Sequence, residues 1–232
     1  MASSPFSNLL LFSILFLTFC NACFSSQSPS HEKVSSESAP AQKVSLSVFC
    51  DSFSVESANF ILVNLSKVHE TGLSEIVDLR LVPFGSAVLL KNGTITCRFE
   101  YECQLNILEG CVLHFLPPIE QYQFMSCLSD YVIRRNPDLW EFCLDNKYEE
   151  PTFSCIKSPL SRKIQLLYAN ETSALNPPPE FFPWVTINQA AIPRTLDFDI
   201  MESICKAYTG YYVVCQNMGI MPAEVPSFQS RS

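Results

Sequence analysis

Sulfur is the element with most chemistry to offer in this sequence. The chain carries eleven cysteines. Cys20 and Cys23 fall in an apolar leader, which leaves nine: Cys50, Cys97, Cys103, Cys111, Cys127, Cys143, Cys155, Cys205 and Cys215. The three histidines, His31, His69 and His114, have no ligand-like spacing with these cysteines, so no metal or cofactor is expected. A thiol becomes reactive as its thiolate, and the start of a helix favours the thiolate. The loop between an apolar strand at Val44–Val48 and a helix running from Ala58 is such a place. It holds Cys50 near the strand end and Ser54-Val55-Glu56-Ser57 at the helix start. Ser54 suits an N-cap, and Glu56 puts negative charge in the first turn. A serine hydroxyl forms no disulfide and stays protonated at physiological pH. Cys50 alone can form a mixed disulfide but needs an external thiol to resolve it. Its other reading is a small buried hydrophobe.

The elements that position this loop follow from periodicity. Val44, Leu46 and Val48 alternate with Ser45 and Ser47, the period of a half-buried strand. Ala58, Ile61, Leu62, Leu65 and Val68 then line one helical face. Glu75–Val82 alternates again as a second strand, so the chain opens strand–helix–strand, a parallel unit of α/β folds. Helices are expected within 105–115, 124–135, 139–144 and 158–168, with a turn at Glu150-Pro151 before Cys155. Cys97–Ile156 reads as a helical insertion stapled by disulfides. Phe182-Pro183-Trp184 puts a proline at the start of an apolar strand, which suits a cis bond. A last helix is expected over Leu196–Tyr208, with Cys205 and Cys215 clipping the C-terminal turn.

The remaining features bound the compartment. Leu9–Phe19 is too short to span a bilayer and reads as the core of a signal peptide over residues 1–26. Cys20-Asn21-Ala22-Cys23 lies at its end, before a polar tract and with no strand ahead of it, and is read as chance. Residues 27–43, rich in Ser, Pro, Glu and Gln, read as a flexible N-terminus. Sequons at Asn64, Asn92 and Asn170, beside a signal peptide and a dense cysteine set, fit secretory entry and N-glycosylation. Nine is odd, so one thiol lacks an intrachain partner, and Cys50 is the candidate. The other eight are expected to pair, with connectivity open. A formal net charge of −8 argues against nucleic acid and anionic membrane as partners. The chain has 232 residues, enough for one domain with a large insertion.

Three blocks carry a family resemblance. Cys97-Arg98-Phe99-Glu100-Tyr101-Glu102-Cys103-Gln104-Leu105-Asn106, ending at Cys111, resembles the signature CQHG, two residues, Glu-Cys, two residues, Asn, four residues, Cys. Glu102, Cys103, Asn106 and Cys111 match it in type and spacing; Arg98-Phe99-Glu100 replaces Gln-His-Gly, with one residue fewer. Pro183-Trp184-Val185-Thr186-Ile187-Asn188 resembles a cis-proline strand, although Gln189 replaces the Gly that follows it. Ile204-Cys205-Lys206-Ala207-Tyr208-Thr209-Gly210 resembles a C-terminal motif. The sequence is similar in these blocks to the gamma-interferon-inducible lysosomal thiol reductase (GILT) family, from about Val44 to Cys215.

The resemblance implies an α/β thioredoxin-like fold built from Val44–Val82 and Pro183–Cys215, with the strand at Trp184–Asn188 beside that at Val44–Val48, the helical insertion over about 97–156, and a tail over 216–232. It also implies thiol–disulfide oxidoreductase chemistry. Anchored on Ala58-Asn59-Phe60-Ile61, the family's Cys-x-x-Cys falls on Ser54 and Ser57. Two functions therefore stand side by side. One is a redox-inactive member, secreted or in a lysosome or vacuole, that binds unfolded or extended polypeptide beside Pro183. The other is a monothiol reductase of disulfide-bearing polypeptides that uses Cys50.

Overall fold

The computed structural model describes residues 41–192 and 198–220. The leader at 1–26 and residues 27–40 lie outside the described residues, as do 193–197 and 221–232. Strand β1, Val44–Cys50, buries Val44, Leu46 and Val48 while Ser45 and Ser47 stay half-buried. The alternation ends at Phe49 and Cys50, both buried, because the strand is central and covered on both faces there. Helix α1, Val55–Asn59, is capped by Ser54. It continues through a π-helical stretch, Phe60–Leu65, into α2, Ser66–Glu70. Gly72, at φ 82°, turns the chain into a short 3-10 segment, Leu73–Ile76. That segment takes the first two residues of the expected second strand, so β2 runs Val77–Pro83.

β1 pairs parallel with β2, and Val44 lies opposite Val77. After β2 come a small hairpin of β3, Val88–Leu89, and β4, Ile95–Thr96, and then the helical layer. It comprises α3, Glu100–Phe115, α4, Pro118–Ile133, a 3-10 segment at Pro137–Cys143, α5, Asn146–Ile156, and α6, Pro159–Ser173. α6 packs on α3 and α5, so the helical layer continues past Ile156 to Ser173. The turn expected at Glu150-Pro151 is absent: Pro151 lies inside α5. Asp145 starts that helix upstream by accepting a hydrogen bond from Lys147 N at 3.0 Å, and buried Thr152 and Cys155 hold the part beyond the proline against the core.

The chain returns to the sheet through β5, Trp184–Ile187, antiparallel to β1, and β6, Ala190–Ala191, antiparallel to β5. The sheet order is β2-β1-β5-β6. Helix α7 runs Ile200–Ala207, and Asp199 caps it, accepting from Met201 N at 2.8 Å and Glu202 N at 3.4 Å; the expected start at Leu196 lies outside the described residues. α8, Val213–Asn217, follows. One core packs Leu46, Val48, Phe60, Ile61, Leu65, Val185 and Ile204 on one side of the sheet. The other packs Phe49, Val82, Trp184, Cys111, Ile164 and Tyr168. Neighbours Val48 and Phe49 thus feed opposite faces, as the strand period requires. A parallel strand–helix–strand unit joined to an antiparallel hairpin through the same central strand is a thioredoxin-like fold, with the helical layer inserted between the two halves.

Four disulfides link Cys97–Cys103, Cys111–Cys155, Cys127–Cys143 and Cys205–Cys215. Among the described residues Cys50 is the free cysteine, and it is buried. Asn92 and Asn170 are exposed, whereas Asn64 is half-buried in the π-helical stretch.

Candidate active site

The site is assembled at the carboxyl end of β1. Ser54 has extended backbone, φ −115° and ψ 128°, and its Oγ accepts from Ser57 N at 3.3 Å. The same hydroxyl donates to Glu56 Oε2 at 2.8 Å. Ser57 is buried, and its Oγ accepts from Asp51 N at 3.0 Å. The two serines therefore close the loop onto the helix through hydroxyl–amide bonds. The Phe182–Pro183 peptide bond is cis. Phe49 pairs with Trp184, so the same register continued by one residue sets Pro183 across from Cys50. Cys50, Ser54 and Ser57 thus line one small cavity, and Pro183 stands at the same end of the sheet.

Cys50 is only 1% exposed, and its thiol donates to the Val82 carbonyl at 3.8 Å. Burial pushes its pKa well up, and the charges of Glu109 and Asp51 push it further. A nucleophilic cysteine needs the opposite environment, exposed and electropositive. Cys50 packs as part of the core.

Behind the loop lies a set of polar groups that the strand and helix periods gave no reason to expect. Asp51, Glu102 and Glu109 are all buried, Glu102 completely. Ser86 Oγ sits 3.2 Å from both Asp51 Oδ2 and Glu102 Oε1. The Arg98 guanidinium binds Asp51 Oδ2 and lies 3.5 Å from Glu102 Oε2. Burial raises the Asp51 carboxyl well above the usual carboxylate range; the bond and charge of Glu102 raise it further, and Arg98 opposes them. Ser52 Oγ lies 2.5 Å from Asn106 Oδ1 and 2.8 Å from Glu109 Oε2. Asn106 turns its amide nitrogen to the Phe84 carbonyl, 3.4 Å, and the Cys97 sulfur, 3.8 Å. With the Asn106 amide held this way round by the Phe84 carbonyl, one hydroxyl proton cannot serve two acceptors, and a proton on Glu109 satisfies both. In accord with that count, burial pushes Glu109 up to about 8 against the pull of the Ser52 bond.

The sequence held a signal for this set. Glu102, Asn106 and Glu109 stand at i, i+4 and i+7 and so share one face of α3. The apolar period of Leu105, Leu108 and Val112 marks the neighbouring face of the same helix. Among the described residues no group of three His, Cys, Asp or Glu side chains could hold a metal ion.

Gly85, at φ +50°, lets the loop after β2 close on Asp51: a Cβ there would sit 2.6 Å from the Asp51 Cα. Gly85→Ala should therefore push Ser86 away from the carboxylates and cost ~1–3 kcal/mol in a denaturant titration. A loss below the error of that titration would show that the two loops are not held this closely.

Residues 45–147 match the family model for gamma interferon inducible lysosomal thiol reductase. The Arabidopsis thaliana gamma-interferon-responsive lysosomal thiol protein is 35% identical over 216 residues, covering 90% of this chain and 85% of its own. The Carassius auratus gamma-interferon-inducible lysosomal thiol reductase is 28% identical over 227 residues, covering 88% and 90%. Among solved structures, the thiol-disulfide oxidoreductase MdbA of Actinomyces oris aligns with 66% of this chain and 74% of its own at TM-score 0.47 and 12% identity. With a third of its residues shared across most of both chains, this protein belongs to the gamma interferon inducible lysosomal thiol reductase family.

Proposed function

We propose that this family member binds extended polypeptide beside Pro183, in the lumen of the secretory pathway, a lysosome or a vacuole, and does no dithiol reduction at its helix start. The observation that carries this reading is the pair Ser54 and Ser57 at the start of α1, hydrogen-bonded into the loop. Neither can attack a sulfur or resolve a mixed disulfide. The burial of Cys50 counts against the monothiol alternative. Beside Ser54 an open cavity of about 330 Å³ is walled by Phe53, Val55, Arg98, Phe99 and Arg135. Val55 is 42% and Phe99 59% exposed there, apolar anchors set among the charges of Arg98, Arg135 and Glu56, a mixture suited to a polypeptide. The lumenal placement is supported by the names of the relatives, by four disulfides and by the three sequons. No helix among the described residues is long and apolar enough to cross a membrane.

Two measurements test the reading. Thiol titration of the folded protein, freed of its leader, should find no fast-reacting thiol and one after unfolding. A fluorescent unfolded peptide should bind, and Phe99→Ala should weaken it roughly tenfold. Tyr211→Ala should not, since Tyr211 adjoins Tyr212, which bonds to the Gly72 carbonyl beyond the opposite end of the helix. A rapidly reacting, acidic Cys50 thiol would restore the enzyme reading, and equal loss in the two variants would remove the site beside Ser54.

A further inference from the structure

The Cys97–Cys103 disulfide stands apart from two of the other three. Cys111–Cys155 and Cys205–Cys215 are buried at both ends, with exposures of 0–5%. Cys97 and Cys103 are both half-buried. Cys103 forms part of the wall of a cavity of about 460 Å³ that also contains Ile95, Ile107, Ser161, Arg162 and Gln165. Arg162 spends one donor on the Gly93 carbonyl. A guanidinium has five donors, so others remain for a ligand in the same cavity. Cys97 is not among the residues that line this cavity, and its sulfur accepts from Asn106 Nδ2 at 3.8 Å. The bridge spans only 6 residues, so opening it leaves the helices joined by the other disulfides.

We infer that Cys97–Cys103 is an exchangeable disulfide, attacked at Cys103 by a small carboxylate-bearing thiol that enters this cavity. The incoming thiolate forms a bond to Cys103 Sγ as the Cys97–Cys103 bond breaks. The electron pair of that bond leaves on Cys97 Sγ. The Asn106 amide hydrogen stabilises it there until it takes a proton from water. A leaving sulfur held by a hydrogen-bond donor departs faster. A second thiol of the same class then attacks the adduct, releasing the small disulfide and the Cys103 thiolate. Two thiols are oxidised to one disulfide, and the protein disulfide is reduced to a dithiol. The charge of Arg162 selects the carboxylate of the thiol, and Ile95 and Ile107 face its carbon chain. The activity is separate from polypeptide binding beside Ser54. It touches that site through Arg98, which lies between the two cysteines in sequence and holds Asp51 and Glu102.

The test uses the folded protein with all its disulfides, incubated with cysteine, quenched in acid and mapped by mass spectrometry. The expected product carries cysteine on Cys103 and a free thiol on Cys97. Cys127–Cys143, half-buried at both ends, is the control for exposure alone and should react about tenfold more slowly. Cysteine should react faster than cysteamine, which lacks the carboxylate, and Arg162→Ala, at an exposed residue, should abolish that preference. Asn106→Ser should slow attack by both thiols. If that variant does not fold, the site of the adduct and the Arg162→Ala comparison still decide. Adducts spread evenly over Cys97 and Cys103, equal rates at Cys127–Cys143, or no exchange without denaturant would each overturn the assignment.

Discussion

The Ser54→Cys, Ser57→Cys double variant should reduce a disulfide substrate such as insulin roughly two orders of magnitude faster than the wild type. The scaffold for the reaction is present apart from its sulfur. Position 54 caps a helix whose first amides face it, and Ser57 N already points at the Ser54 Oγ from 3.3 Å. A thiolate at 54 would gain from those amides and from the helix dipole. Position 57 is buried one turn below, where a resolving thiol belongs. The cis Pro183 stands across from the strand end. The substitutions cost the cap hydroxyl, worth about 1 kcal/mol, and four disulfides leave room for that loss.

Glu56 sets the ceiling on this gain. Its carboxylate lies 2.8 Å from the Ser54 Oγ, where it accepts a hydroxyl proton today and would repel a thiolate in the variant. Two like charges about 4 Å apart in water-like surroundings differ by about fivefold in the population of the charged form, so adding Glu56→Gln should raise the rate by that factor. The assay is run with an external thiol at acidic and neutral pH. Wild-type activity matching that of the double variant, and surviving Cys50→Ser, would mean that the reactive sulfur lies elsewhere.

How much of this site was legible in the chain depends on how local each feature is. The loop and its cap were legible, because Ser54 precedes an apolar helical period and follows an alternating strand. The place of Pro183 was legible because proline has few homes beside a strand. The length of the helical layer was not. Pro151 reads as a break, yet α5 runs through it, held by the Asp145 cap and the burial of Thr152 and Cys155. The buried carboxylates were harder still. Asp51, Ser86 and Glu102 come from three segments and meet only because Gly85 lets two backbones approach. In the sequence Asp51 and Ser86 are ordinary polar residues, and Glu102 stands out only as part of the family signature, with nothing to say that it is buried. The burial that makes them unusual comes from tertiary contacts, which periodicity does not encode.

Those carboxylates lead to the second large effect: the fold should be most stable in acid and lose stability as pH rises toward 8. Glu109 has its folded pKa raised from 4.5 to about 8 by burial. A carboxyl raised in the fold contributes stability that is fully present below its unfolded pKa and is lost as pH rises through the folded value. The window for Glu109 therefore runs from about 4.5 to about 8, and Asp51, also raised, acts in the same direction. Integrated over pH 5 to 8, the Glu109 shift corresponds to roughly 3 kcal/mol, or about 10 °C in Tm for a domain of this size. His69 opposes this trend. Burial lowers its pKa, so its contribution is present above the unfolded value and is lost as pH falls. Glu109→Gln separates the two. Glutamine copies the protonated acid, since its amide can donate to Ser52 Oγ as the carboxylic acid does. The variant should match the wild type at pH 5, exceed it by most of that 3 kcal/mol at pH 8, and keep only the slopes of Asp51 and His69, which oppose each other. Thermal unfolding at half-unit steps of pH measures this directly. Equal slopes in the two proteins would mean that Glu109 is ionised in the fold, and the proton count at Ser52 would then have to be closed by turning the Asn106 amide instead.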